Sequence, residues 1–169
     1  MTNESKDENH VHFSLDLAKE IEFYADRAFA MSSCHRKTAE LYGNCHMLLG
    51  LPAAILASIA GVSAFANQSK IAGITAFIVS ALTGAVSFLN PSEKQKLHFE
   101  AANALETWST KTYLIVKRSR ASIIEVTELI NTWGELMKER DQINKQSPLI
   151  PSWSQSKLMK KLMNPFYLQ

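Results

Sequence analysis

Two cysteines and two histidines stand together as Cys34-His35 and Cys45-His46. Thiolate and imidazole are zinc ligands, so metal binding is the first chemistry these residues raise. Eleven positions separate the pairs, which places them on one side of a helix but about three turns, roughly 16 Å, apart. One ion cannot bind both. A second helix carrying His98 would have to complete two separate sites, and the sequence is expected to hold no metal. The same separation prevents a Cys34–Cys45 disulfide, and two cysteines make no disulfide framework. Both are expected as reduced thiols.

The other chemically suggestive cluster is basic: Lys111, Lys117, Arg118 and Arg120. It is either a solvated helix face or a contact for a nucleotide, a nucleic acid or another acidic partner. No P-loop, dinucleotide fingerprint, nucleophile elbow or zinc spacing occurs. The expectation is a non-enzyme with no catalytic residue and no cofactor.

The elements that must position these groups are unusual. The chain has 169 residues, 20% of them charged, and a net charge of +2; its mean hydropathy is −0.09. Those averages mix two uncharged stretches with charged flanks. Residues 47–66 read MLLGLPAAILASIAGVSAFA and residues 71–89 read IAGITAFIVSALTGAVSFL. As helices each would be about 30 Å long, the thickness of a hydrocarbon core. Only Asn67, Gln68, Ser69 and Lys70 lie between them, a turn that forces the helices antiparallel. The expected fold is all-α: a two-transmembrane helical hairpin extended by long cytoplasmic amphipathic helices. Basic residues set the orientation. Arg27, Arg36 and Lys37 precede the first span, Lys94 and Lys96 follow the second, and Lys70 alone lies in the turn, so both termini are expected in the cytoplasm. His46 and His98 are expected at the membrane–water interface. The polar N-terminus, with Glu4, Asp7 and Glu8, is no secretory signal peptide.

The spans are rich in small residues. Ala53, Ala57 and Gly61 make a small-xxx-small ladder on the first, and Ala76, Ser80 and Gly84 make one on the second; such ladders let helices approach closely in lipid. Thr83 and Ser87 extend the second ladder into a weakly polar stripe, opposite Ile74, Phe77, Ile78, Leu82, Phe88 and Leu89. The stripe either packs within the hairpin or lines a pore when several hairpins gather. Neither span carries the ionisable group expected of a proton relay or voltage sensor. Pro52 removes one backbone hydrogen bond and is expected to kink the first span.

Outside the spans the pattern is amphipathic. Residues 1–12 are expected to be disordered. Residues 13–46 form a helix running on into the first span, with Leu17, Ile21, Tyr24, Ala28 and Met31 as its apolar stripe, continued by Thr38, Tyr42 and Cys45. At Asn90-Pro91-Ser92-Glu93 a new or kinked helix is expected, with Asn90 capping, Pro91 at the first helical position and Glu93 completing a capping box. Residues 91–145 then carry two stripes: Leu97, Ala101, Leu105, Trp108, Thr112 and Ile115, and beyond them Ile123, Thr127, Ile130, Trp133 and Met137. Between the stripes the helix either bends near Ser119–Ser122 or continues. Glu135, Lys138, Glu139, Arg140 and Asp141 are expected as a solvated, mixed-charge face. Residues 146–169 form a basic tail, disordered or lying on anionic lipid.

The stretch from His35 to Leu105 resembles the SLATT domain, a two-transmembrane effector domain of bacterial conflict systems. The resemblance rests on His35-Arg36-Lys37 and Tyr42, on the span opening Leu49-Gly50-Leu51-Pro52-Ala53-Ala54-Ile55 with Gly61 and Phe65 following, and on Phe88-Leu89-Asn90-Pro91-Ser92-Glu93-Lys94 ahead of His98, Ala101 and Ala102. Where family members often carry a tyrosine, seven residues beyond the histidine, this chain has Leu105. The resemblance implies a multi-pass protein of the bacterial inner membrane that acts in anti-phage defence. Such an effector oligomerises on a cytoplasmic signal and permeabilises the membrane, causing abortive infection. It implies three partners: the lipid bilayer, further copies of the chain, and a linked sensor. That sensor is either a nucleotidyltransferase making a cyclic oligonucleotide second messenger or a reverse transcriptase. A non-conducting scaffold that anchors a soluble signalling partner is the competing expectation.

Overall fold

The computed structural model describes residues 4–121 and 123–155, with side chains from residue 15 onward. The fold is all-α. Helix α1 runs Glu4–Phe65, α2 Ser69–Leu89, α3 Pro91–Arg120 and α4 Val126–Gln146, followed by one 3-10 turn at Ser152–Ser154. Two of the helical segments are long and apolar enough to cross a membrane.

The largest departure from expectation along the chain is at the start of α1. Residues 4–12, expected to be disordered, are helical. Propagating an existing helix adds one hydrogen bond per residue fixed, far easier than nucleating one. Acidic residues also suit a helix N-terminus. At its other end α1 contains Pro52 within an unbroken helix and stops at a left-handed residue, Asn67 (φ 58°). The Gln68 N–H donates to the Ser63 carbonyl at 2.9 Å, closing the last turn. Asparagine tolerates this backbone conformation better than most residues.

The second boundary falls at Asn90, also left-handed (φ 43°), whose N–H donates to Val86 O. Pro91, lacking an N–H, opens α3. The expected capping box takes a different form. The backbone N–H of Asn90 is used by α2, and its side-chain amide donates instead to the Glu93 carboxylate.

The chain divides into two compact units, Met1–Lys37 with His98–Gln169, and Thr38–Leu97. In the first, a bundle, Ala18, Ile21, Ala28, Leu105, Trp108, Ile115, Val116, Leu129 and Leu136 form one core. The expected α1 stripe within the bundle is buried or half-buried throughout. Helix α3 ends at Arg120 and α4 folds back on it. Trp108 donates its indole N–H to the Leu136 carbonyl at 2.7 Å and lies 6.1 Å, ring to ring, from Trp133.

Two α4 expectations are corrected. Its inward face is Leu129, Leu136 and Arg140, with Trp133, Met137 and Ile143 packed beside it; Ile130 and Ile123 are exposed. Arg140 is therefore not part of a solvated face. The spacing 129–133–136–140 is as helical as the expected stripe, and in the rotation it gives Leu136 shares the core with Trp108 on α3.

In the second unit, residues 38–97, the spans pack along one side. Ala53, Leu56 and Ala60 are half-buried and Ser63 is buried; on α2 the half-buried positions are Ala72, Thr75, Val79, Leu82, Ala85 and Val86. Beyond the spans, Lys94 Nζ lies 5.6 Å from the Tyr42 ring centroid.

Candidate functional site

Candidate sites arise on each unit. On the hairpin, the ladders lie mostly outside the packing seam. Ala53 is half-buried, whereas Ala57, Gly61, Ala76, Ser80, Thr83, Gly84 and Ser87 are exposed. Packing within the hairpin is thus assigned to other residues, and the ladders face outward. A Cβ added at Gly61 or Gly84 would meet no atom within 4 Å. These glycines leave the backbone open to close approach by something outside the chain.

Three of the hydroxyls on these helices are satisfied locally. Ser58 donates to Ala54 O at 3.1 Å, Ser80 to Ala76 O at 2.9 Å, and Thr75 to Ile71 O at 2.8 Å. Such back-bonding removes the penalty of an unpaired donor in an apolar setting. The rest of the surface is strongly apolar. Leu48 is 74% exposed, Phe77 77% and Phe88 90%, and no residue of α2 is buried.

On the bundle, the basic cluster is half neutralised. Lys111 pairs with Glu139 at 2.7 Å and Arg120 pairs with Glu22; Lys117 and Arg118 are exposed at the end of α3. A groove of about 560 Å³ is lined by Arg36, Asn103, Glu106, Thr107, Thr110, Lys111 and Leu114. Arg36 in this groove already pairs with Glu106 at 2.6 Å, so the groove presents balanced charge rather than a positive field. Each pair is about half-exposed and contributes only ~0–1 kcal/mol.

No family model, curated protein or solved structure matches this chain. The functional reading therefore rests on its own residues.

The metal candidates resolve differently from their spacing. Cys34 is fully buried beside Ala30, with Met31 and Ile150 packed against them, and Cys45 is half-buried. His46 is exposed. His98, expected at a membrane interface, is instead buried in the bundle, where its Nδ1 lies 2.9 Å from His35 Nδ1. Among the described residues no three His, Cys, Asp or Glu side chains converge as a metal site would require.

One imidazole of this pair must donate and the other accept, so the two neutral rings carry opposite tautomers. Burial, then the charge of His98, pushes His35 down to about 4, and burial lowers His98. Both groups are harder to protonate when folded than when unfolded. Their contribution to stability is complete above the unfolded value of about 6.5 and is lost progressively as pH falls from there toward about 4 for His35. Urea midpoints should therefore fall between pH 6.5 and pH 4 more steeply for the wild type than for His35→Gln. Parallel slopes would refute the coupling. A contact spanning 63 positions has no local sequence signature.

Proposed function

We propose that this chain is a SLATT-type effector of the bacterial inner membrane. In this reading the hairpin crosses the bilayer twice, both termini are cytoplasmic, and the bundle receives the signal of a linked sensor. Copies then meet through the small-residue faces of the spans and permeabilise the membrane, the step that aborts phage infection.

The observation that carries this reading is the hairpin itself: two consecutive uncharged helical segments, 47–65 and 71–89, most of whose large apolar side chains are exposed rather than packed. A core helix of a water-soluble protein would bury them, and soluble monomers rarely expose continuous apolar surface beyond a few hundred Å². In lipid the same surface is solvated, and every backbone group is satisfied within its helix. Outward-facing Gly61 and Gly84 support assembly, because close backbone approach is what drives association where the hydrophobic effect is absent.

The first test is location. The expressed protein is expected to stay in the membrane pellet after an alkaline carbonate wash; release into the supernatant as a monomer would defeat the proposal. The second is conduction. Cells carrying the triggered system should depolarise, and liposomes holding the activated protein should leak dye. The competing reading, a non-conducting anchor for a soluble partner, draws support from the open groove at Arg36, Glu106 and Lys111. Liposomes that bind the sensor's product without leaking would favour it.

A further inference from the structure

Arg140 is the most buried cation described in the bundle, only 7% exposed. It lies on the inward face of α4, with its guanidinium carbon 4.9 Å from the Tyr24 ring centroid and 5.4 Å from that of Trp108. Arg27, one turn beyond Tyr24 on the same face of α1, is half-buried. The Nε atoms of both arginines are buried, and neither has a hydrogen-bond partner. Among the described residues neither guanidinium forms an ion pair; Asp141, beside Arg140 in sequence, is exposed and acts on it only through space.

A buried guanidinium on α4 and a half-buried one on α1 thus act on each other as like charges, each with an Nε–H left over. Buried charge without a paired anion is strongly unfavourable. The aromatic rings offset this through their π faces, but a ring accepts no in-plane bond from an Nε–H. An oxyanion would satisfy both donors and cancel the repulsion. The arginine fork fits such a group in a two-point contact, and two positive charges match a phosphate near its dianionic state. The low exposure of Arg140 strengthens interactions made there.

We propose that Arg27 and Arg140 form a binding site for the phosphate group of a small soluble molecule, set between α1 and α4 and walled by Tyr24 and Trp108. The site is distinct from the exposed Lys111–Arg120 cluster, in which two of the four charges are paired. Its existence does not depend on whether the hairpin conducts.

The test uses the full chain in neutral detergent, its thermal unfolding followed while inorganic phosphate or pyrophosphate is added, with sodium chloride at matched ionic strength as reference. A saturable rise in Tm with pyrophosphate, beyond that with chloride, is expected. Arg27→Gln should weaken apparent affinity by at least about tenfold, since it removes a charge-assisted two-point contact. Arg140→Gln should do the same, and Lys138→Gln, exposed on α4, should leave the titration unchanged. If Arg140→Gln does not fold, the wild-type titration and Arg27→Gln decide. No shift beyond chloride, or a shift that survives Arg27→Gln, would overturn the site. A shift with phosphatidylglycerol in the same micelles but none with pyrophosphate would overturn the soluble-ligand assignment. None of these readouts involves membrane leakage, so the site and the proposed function stand or fall separately.

Discussion

Trp108→Ala is expected to lower the unfolding free energy of the bundle by about 3–5 kcal/mol, the usual range for deleting a fully buried large aromatic. Trp108 has no exposed surface, and three of its contacts are to α4. Its indole N–H holds Leu136 O, its ring faces Trp133, and the Arg140 guanidinium lies over it. Alanine would leave a cavity, remove one wall from a buried cation and release the tie between α3 and α4. Small domains have only about 5–15 kcal/mol in total, so a substantial unfolded population should follow at 37 °C. Trp108→Phe keeps most of the apolar volume and loses the hydrogen bond, with an expected loss of about 1–2 kcal/mol. Guanidinium unfolding in detergent, followed by circular dichroism, measures both. A change below about 1 kcal/mol for Trp108→Ala would mean that Trp108 is not the keystone of this core.

The second large effect should appear in function with the fold intact. In the double variant Gly61→Leu, Gly84→Leu, the new side chains meet no neighbouring atom at Cβ, and leucine is the better helix former by roughly 0.8–1 kcal/mol per site. The isolated hairpin should therefore be as stable as before. Assembly should fail, because leucine on the ladder holds two helices apart where glycine admits close backbone contact. Losing even ~1.4 kcal/mol per contact lowers an association constant about tenfold, and a ring of copies loses that at every interface. Cross-linked oligomers and triggered depolarisation are both expected to disappear while membrane insertion persists. Ser63→Leu provides the contrast: Ser63 is buried on the packing side of the hairpin, so leucine there should disturb the hairpin itself. Unchanged depolarisation in the double glycine variant would remove the ladders from the mechanism.

The local features of the candidate regions were legible in the sequence, and their partners were not. The expected spans, 47–66 and 71–89, lie close to the end of α1 at Phe65 and to α2 at Ser69–Leu89. The ladders were identifiable by spacing, yet that spacing could not say whether they face inward or outward. Arg140 looked solvated because it lies within a charged run, and only the α3–α4 packing turns it inward. The His35–His98 contact and the Arg27–Arg140 site each join residues far apart in the chain, so no window of sequence contains them.

By itself, the sequence determined what depends on neighbours along the chain: the helical character, the uncharged lengths of the spans, and the breaks at Asn67 and Asn90, while it left open whether residues 91–145 form one helix or two. Those follow from periodicity, hydropathy and the backbone tolerance of single residues. The tertiary structure alone decided the rotation of α4, the outward turn of Gly61 and Gly84, and the burial of Arg140 without an anion. An amphipathic helix offers several faces of nearly equal apolarity, and the choice among them is made by shape fit against another helix.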